Sequence, residues 1–230
     1  MGRPHRTAPG GLVYHVLNRA NARRRIFEKD ADYAAFERVL VEVQERLPMR
    51  LLSWCLMPNH WHLVLWPRED GELSEYMRLL TLTHTQRWHA HRKSGGTGHL
   101  YQGRFKSFPV QSDRYLLVVC RYVERNALRA NLVRRAESWR WGSLWHHHRA
   151  SPLGHSLLSD WPIDRPRDWA AYVNRPETPA ELEALRRSVQ RGAPYGGKNW
   201  IEKTARKLGL ETALRSRGRP RKAPIPGKGS

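Results

Sequence analysis

Hydrophobic positions along this chain follow two periods, and each period predicts an element. Apolar residues at every second position mark strands, and apolar residues at steps of three and four mark helices. Residues 11–17, GLVYHVL, are rich in β-branched and aromatic side chains and predict a first strand. A basic loop, NRANARRRIFEKD, follows. Residues 30–47 place Tyr33, Phe36, Leu40, Val43 and Leu47 on one helical face, with Asp30 as the expected cap and Pro48 as the stop. RLLSWCLM (50–57) and HWHLVLW (60–66) predict a hairpin turning at Pro58 and Asn59. Residues 72–93 predict a second helix, with Leu73, Met77, Leu80 and Trp88 roughly periodic. After the glycine loop SGGTGH, a fourth strand is expected within 101–110. Residues 113–133 predict a third helix capped by Asp113.

The order β-α-β-β-α-β is that of a split βαβ, ferredoxin-like α+β fold: an antiparallel sheet with two helices on one face. The third helix is then available to cover the other face. Beyond residue 150 the pattern weakens. The expected division is a main domain over 1–146, a proline-rich connector over 147–179, a mostly helical basic extension over 180–215 and a basic tail over 216–230. No internal repeat is visible.

Charge narrows the partners. The 230 residues hold 41 Lys+Arg against 21 Asp+Glu, a net charge of +20, with a pI near 10.9. Such an excess favours a polyanion, and nucleic acid comes first because neutralising phosphates releases counterions. No apolar run approaches the roughly 20 residues of a spanning helix. The N-terminal MGRPHRTAPGG is polar, so no signal peptide is expected, and Gly2 does not open a myristoylation pattern. Cys55 and Cys120 alone make neither a four-thiolate zinc site nor a disulfide framework. These features predict a cytoplasmic, DNA-associated protein.

Two places carry candidate chemistry. His60 and His62 lie two apart in a strand, so they project together while Trp61 and Leu63 project opposite. Paired imidazoles suit a divalent metal, which still needs a third ligand. On the third helix, Leu116, Val119, Cys120, Val123, Ala127 and Ala130 share an apolar face, and Arg121, Arg125 and Arg129 stack at steps of four. Between them runs a strip with Tyr115, Tyr122 and Asn126, the last two one turn apart. Taken alone, that strip also reads as a boundary tyrosine and an asparagine near a helix end.

Together these pieces resemble a known family. MPNHWHLVLWP is similar to the HUH motif of single-tyrosine transposases, and RYVERNALRANLV resembles their tyrosine helix. YHVLNRANARRRIF, TGHLYQGRFKS and WRWGSLW also resemble the family in their expected places, over about residues 11–145. The branch most resembled is the REP-associated tyrosine transposases, whose basic C-terminal extensions are similar to RRSVQRGAPYG and LGLETALRSRGRPRK. One departure is Ala127, where the family usually carries proline; alanine lets the helix run further.

The resemblance implies an HUH active site in which His60, His62 and Asn126 bind Mg²⁺ or Mn²⁺ and Tyr122 is the nucleophile. Two imidazoles suit Mn²⁺ better than Mg²⁺. It implies attack on single-stranded or hairpin DNA, a 5′-phosphotyrosine link and strand transfer. A free tyrosine titrates near pH 10, so about one in a thousand is phenolate at neutral pH, and closing that gap takes about 4 kcal/mol. Tyr115 is the rival nucleophile, further from Asn126 than Tyr122 is. Arg23, Arg24, Arg25, Arg104, Lys106, Arg121, Arg125 and Arg129 are expected to track phosphates. Arg217, Arg219 and Arg221 lie in RGRPRK, which resembles an AT-hook for A·T-rich duplex. Trp61 and Tyr101 are candidates for base stacking, though core packing serves them as well. WHHHR (145–149) reads as surface, and His84, His89 and His91 as helix surface or DNA contacts. Two other readings stand beside the enzyme: a noncatalytic DNA-binding protein and an RNA-binding module. The protein is expected to be a monomer or homodimer.

Overall fold

A computed structural model describes residues 8–215 of the chain. The basic tail with Arg217, Arg219 and Arg221 lies outside the described residues. Four strands, β1 (Val13–Arg19), β2 (Arg50–Met57), β3 (His60–Trp66) and β4 (Lys106–Val110), form one antiparallel sheet in the order β2-β3-β1-β4. This is the expected ferredoxin-like α+β arrangement. The hairpin strands fall where their alternation predicts. β1 runs on to Arg19, so Asn18 and Arg19 belong to the strand and not to the basic loop.

Alternation then sorts the side chains. Tyr14 and Val16 of β1, with Trp61, Leu63 and Leu65 of β3, pack under α1 (Asp30–Arg46) and α2 (Glu72–His91). Val13, Cys55, Val64 and Phe108 face the other way and meet α3 (Arg114–Glu124). The third helix therefore covers the second sheet face. Two caps can be compared. Asp113 accepts from the Tyr115 backbone N–H at 2.9 Å, as expected. Asp30 does not cap α1: Lys29 occupies that position, and Asp32 accepts from the backbone N–H groups of Glu28 and Lys29.

The third helix ends earlier than residue 133. It opens at Arg125, continues as α4 (Asn126–Arg129), and stops where Asn131 adopts a left-handed conformation (φ 56°). Asparagine tolerates that conformation, and Leu132 N–H closes the end on the Ala127 carbonyl. The stretch expected as connector carries the end of α5 (Ser143–His148), then α6 (Pro152–Leu157) and α7 (Trp169–Asn174). Trp169 and Val173 are buried beside α3. The extension contains α8 (Pro179–Arg191), α9 (Lys198–Leu208) and α10 (Glu211–Leu214), and Leu185 and Tyr195 join the same core. Tyr195 pairs by backbone with β4, and Leu158 with β2, so both sheet edges are covered. No helix among the described residues is long and apolar enough to cross a membrane.

Candidate active site

The site forms where β1, β3 and α3 meet. His60 and His62 project from β3 towards α3, and their ring centroids are 5.0 Å apart. The hairpin turn fixes the first of them. Asn59 donates its amide N–H to the Arg23 carbonyl at 3.1 Å, so its Oδ1 is the atom aimed at His60 Nδ1, 2.6 Å away. An amide oxygen only accepts, so His60 carries its proton on Nδ1 and presents the lone pair of Nε2. His62 Nδ1 lies 2.8 Å from Nε2 of His15, a residue of β1. Burial holds His15 down to about 3. Burial, followed by the nearby Arg19 and Arg129, holds His60 down to about 3. Burial, then the charges of His15, His60, Arg129 and Arg19, pushes His62 well below the ordinary imidazole value. All three are therefore neutral at pH 7, the form that ligates a metal.

Tyr122 arrives from α3. Its ring stands edge-on to His62 at 5.9 Å and to His15 at 6.2 Å. The Arg129 guanidinium lies 4.1 Å over that ring and donates twice to the Tyr122 carbonyl. The rival Tyr115 instead packs edge-on against Tyr195 at 5.6 Å. Asn126 is buried on α4 at the same end of the helix. Its neighbour Ala127 makes a backbone hydrogen bond with the thiol of Cys55, and Cys55 lies directly across the sheet from His62. Among the described residues no three His, Cys, Asp or Glu side chains are arranged to hold a metal ion. A carboxamide oxygen such as that of Asn126 is also a kind of donor that ligates a divalent cation. Two neutral imidazoles and an amide oxygen fit a divalent transition metal better than an all-oxygen cation.

The helix that carries Tyr122 is anchored by Glu124, two residues on, which the sequence pattern does not single out. This buried carboxylate accepts from Ser53 Oγ at 3.2 Å, Ser143 Oγ at 2.6 Å and Trp169 Nε1 at 2.6 Å. Burial raises its pKa, and those donors with Arg165 oppose the rise. The only sequence signal was an acidic residue at i+2 from the tyrosine in an otherwise apolar or basic segment.

The basic residues divide. Arg23, Arg25, Arg104 and Lys106 are exposed. Arg24 stacks on Trp88 at 4.9 Å and donates to the His99 carbonyl. Arg104 and Lys106 join Arg19 and Gln102 in lining a cleft of about 400 Å³ at the His60 end of β1. The exposed arginine stripe expected on the third helix does not exist as a free surface. Arg121 pairs with Glu181 at 2.8 Å, while Arg125 and Arg129 pair with Glu177 at 3.5 and 2.9 Å. These carboxylates come from the C-terminal part, which a linear pattern does not connect to the helix. Trp61 and Tyr101 are core residues, joined by a 2.9 Å hydrogen bond. His84 is also buried, 2.6 Å from the Tyr101 hydroxyl, and His146 is buried against Glu37 at 2.9 Å, so neither is surface. A hollow of about 980 Å³ lies elsewhere, between α2 and the glycine loop.

The family model described as IS200-like transposase matches residues 10–126, just over half of the 230-residue chain. This chain belongs to the IS200-like transposase family. The matched region contains His60, His62, Tyr122 and Asn126. The transposase is similar in fold to a solved REP-associated tyrosine transposase bound to a REP hairpin, with a TM-score of 0.52. The two are 18% identical over 71% of this chain and 94% of that one. A candidate transposase from Deinococcus radiodurans R1 is 16% identical over 54% of this chain and 97% of its own, with a TM-score of 0.38 that carries no weight for the fold. Among curated proteins none matches this transposase.

Proposed function

We propose that this transposase nicks and rejoins single-stranded DNA at hairpin-forming repeats, with Tyr122 as the nucleophile. The observation that carries the reading is the Tyr122 ring 5.9 Å from His62 within one chain, beside a second neutral imidazole. A tyrosine delivered by a second copy is not needed. His60 Nε2, His62 Nε2 and the Asn126 carboxamide oxygen are the atoms that would hold Mn²⁺ or Mg²⁺. When bound, such a cation polarises the scissile phosphate and offsets its growing charge.

Tyr122 Oη forms a bond to phosphorus as the bond from phosphorus to the 3′ oxygen breaks. The phenol proton passes to solvent, and the departing 3′ oxygen takes one up. A 5′-phosphotyrosine and a free 3′-hydroxyl result. Attack by a second 3′-hydroxyl reverses the step and joins a new strand, with no external energy source. Arg129 holds the nucleophile's segment through the Tyr122 carbonyl, and Glu124 anchors the same helix to β2. Arg104, Lys106 and Arg19, which line a cleft at the His60 end of β1, would take the strand's phosphates. The REP hairpin carried by the solved relative supports short palindromic repeats as substrates.

The test is a labelled hairpin oligonucleotide incubated with the protein and Mn²⁺. A covalent, protease-sensitive adduct that survives Tyr115→Phe and disappears in Tyr122→Phe is the expected result. Tight hairpin binding by the wild type without any adduct would mean a noncatalytic DNA-binding protein.

A further inference from the structure

We infer that His15 is a positioning residue: it fixes the ring proton of His62 so that His62 Nε2 is free to bind a metal. The inference rests on the metal reading above and goes beyond it, because His15 touches neither cation nor phosphate there. His15 is fully buried in β1. In the β1–β3 register Leu17 lies opposite His62, so His15 is the diagonal neighbour on the same sheet face. Its ring is held between Phe108, at 4.8 Å, and the edge of Tyr122, at 6.2 Å. An apolar side chain would fill that slot without burying any polar atom. The imidazole is instead half satisfied: Nε2 lies 2.8 Å from His62 Nδ1, while Nδ1 is buried with no hydrogen-bond partner among the described residues.

A core histidine kept for packing is expected to satisfy both nitrogens. The bond His15 makes among the described residues goes to the nitrogen of His62 that does not face the proposed metal. His62 can offer Nε2 only if its proton sits on Nδ1, and an Nδ1–H buried here needs an acceptor. His15 Nε2 supplies it, leaving the His15 proton on the unpartnered Nδ1. His60 has the matching device in Asn59 Oδ1. Both histidines of the pair are thus turned by an acceptor on Nδ1, one from the hairpin turn and one from the neighbouring strand. No net proton is gained or lost in this arrangement.

Mn²⁺ binding to the DNA-free protein at neutral pH, read from the electron paramagnetic resonance signal of free Mn²⁺, tests this without using activity. Loss of such an orienting partner typically weakens metal affinity by about 10–100-fold. His15→Phe is expected to raise the Mn²⁺ dissociation constant by about that factor. His15→Gln, whose amide oxygen falls near the lost Nε2, is expected to recover most of it. Equal affinity in wild type and His15→Phe overturns the inference and leaves the metal site standing. Equal weakening in the Phe and Gln variants, with melting temperatures unchanged, also overturns it. A wild type that binds no Mn²⁺ removes the metal reading and this inference together. Long-range ¹⁵N–¹H spectra of the Mg²⁺-loaded wild type give an answer that needs no variant: an Nδ1–H tautomer at His62 supports the role, and an Nε2–H tautomer overturns it.

Discussion

Asn59 shows how one side chain sets the chemistry of the next. Its amide is locked by the Arg23 carbonyl, and the oxygen so fixed selects which nitrogen of His60 keeps the proton. In the sequence Asn59 is only a turn residue, because the Arg23 carbonyl comes from another segment. Asn59→Ala is expected to raise the Mn²⁺ concentration for half-maximal adduct formation by about 10–100-fold while leaving the maximum reachable at high metal. Ser143 works at the same scale. It donates to Glu124 and accepts from the Trp54 backbone N–H at 3.0 Å, so its loss leaves two buried groups short of a partner. Ser143→Ala is expected to cost about 1–3 kcal/mol in urea unfolding, seen as a lower midpoint at constant slope. The pairing of His60 and His62 on one face was legible, because a strand's period of two guarantees it. Glu124 and His15 were not, since their partners lie on other elements.

The third helix is where element-level reading both succeeded and failed. Its apolar face follows from the helical period, and the helix packs as that face requires. The basic stripe was also real as a pattern. What the pattern lacks is Glu177 and Glu181, which neutralise it from across the fold. Glu177 is buried between two guanidiniums that remain partly wet, so removing it falls short of the roughly 3–5 kcal/mol of a fully buried pair. Glu177→Ala is expected to destabilise the protein by about 2 kcal/mol, measured as a lower urea midpoint. Proline-rich composition concealed α7 in the same way. Its tryptophan completes the core over α3 only because the chain doubles back, which local propensity does not reveal.

At the scale of the whole molecule, buried neutral histidines tie stability to pH. Burial holds His84 at about 3 in the fold, against about 6.5 in an unfolded chain. Between those values the unfolded state binds more protons, so stability falls as pH drops from 6.5 towards 3. The urea midpoint is therefore expected to decline steadily from pH 7 to pH 4.5. A His84→Gln variant, which can keep a polar contact with the Tyr101 hydroxyl, is expected to show a shallower decline from a lower starting point. A flat midpoint across that range would contradict the burial of these neutral rings.

The sequence by itself determined the element order, the two-sided burial of the sheet, the shared projection of His60 and His62, and the family. Those properties depend on local periods and short motifs, which a linear pattern carries. The tertiary structure alone decided that His15 and Asn59 hold the ring nitrogens, and that the helix arginines are already paired. Each of these is a contact between segments far apart in the chain. Strand register and helix docking create such contacts, and neither is encoded at any single position.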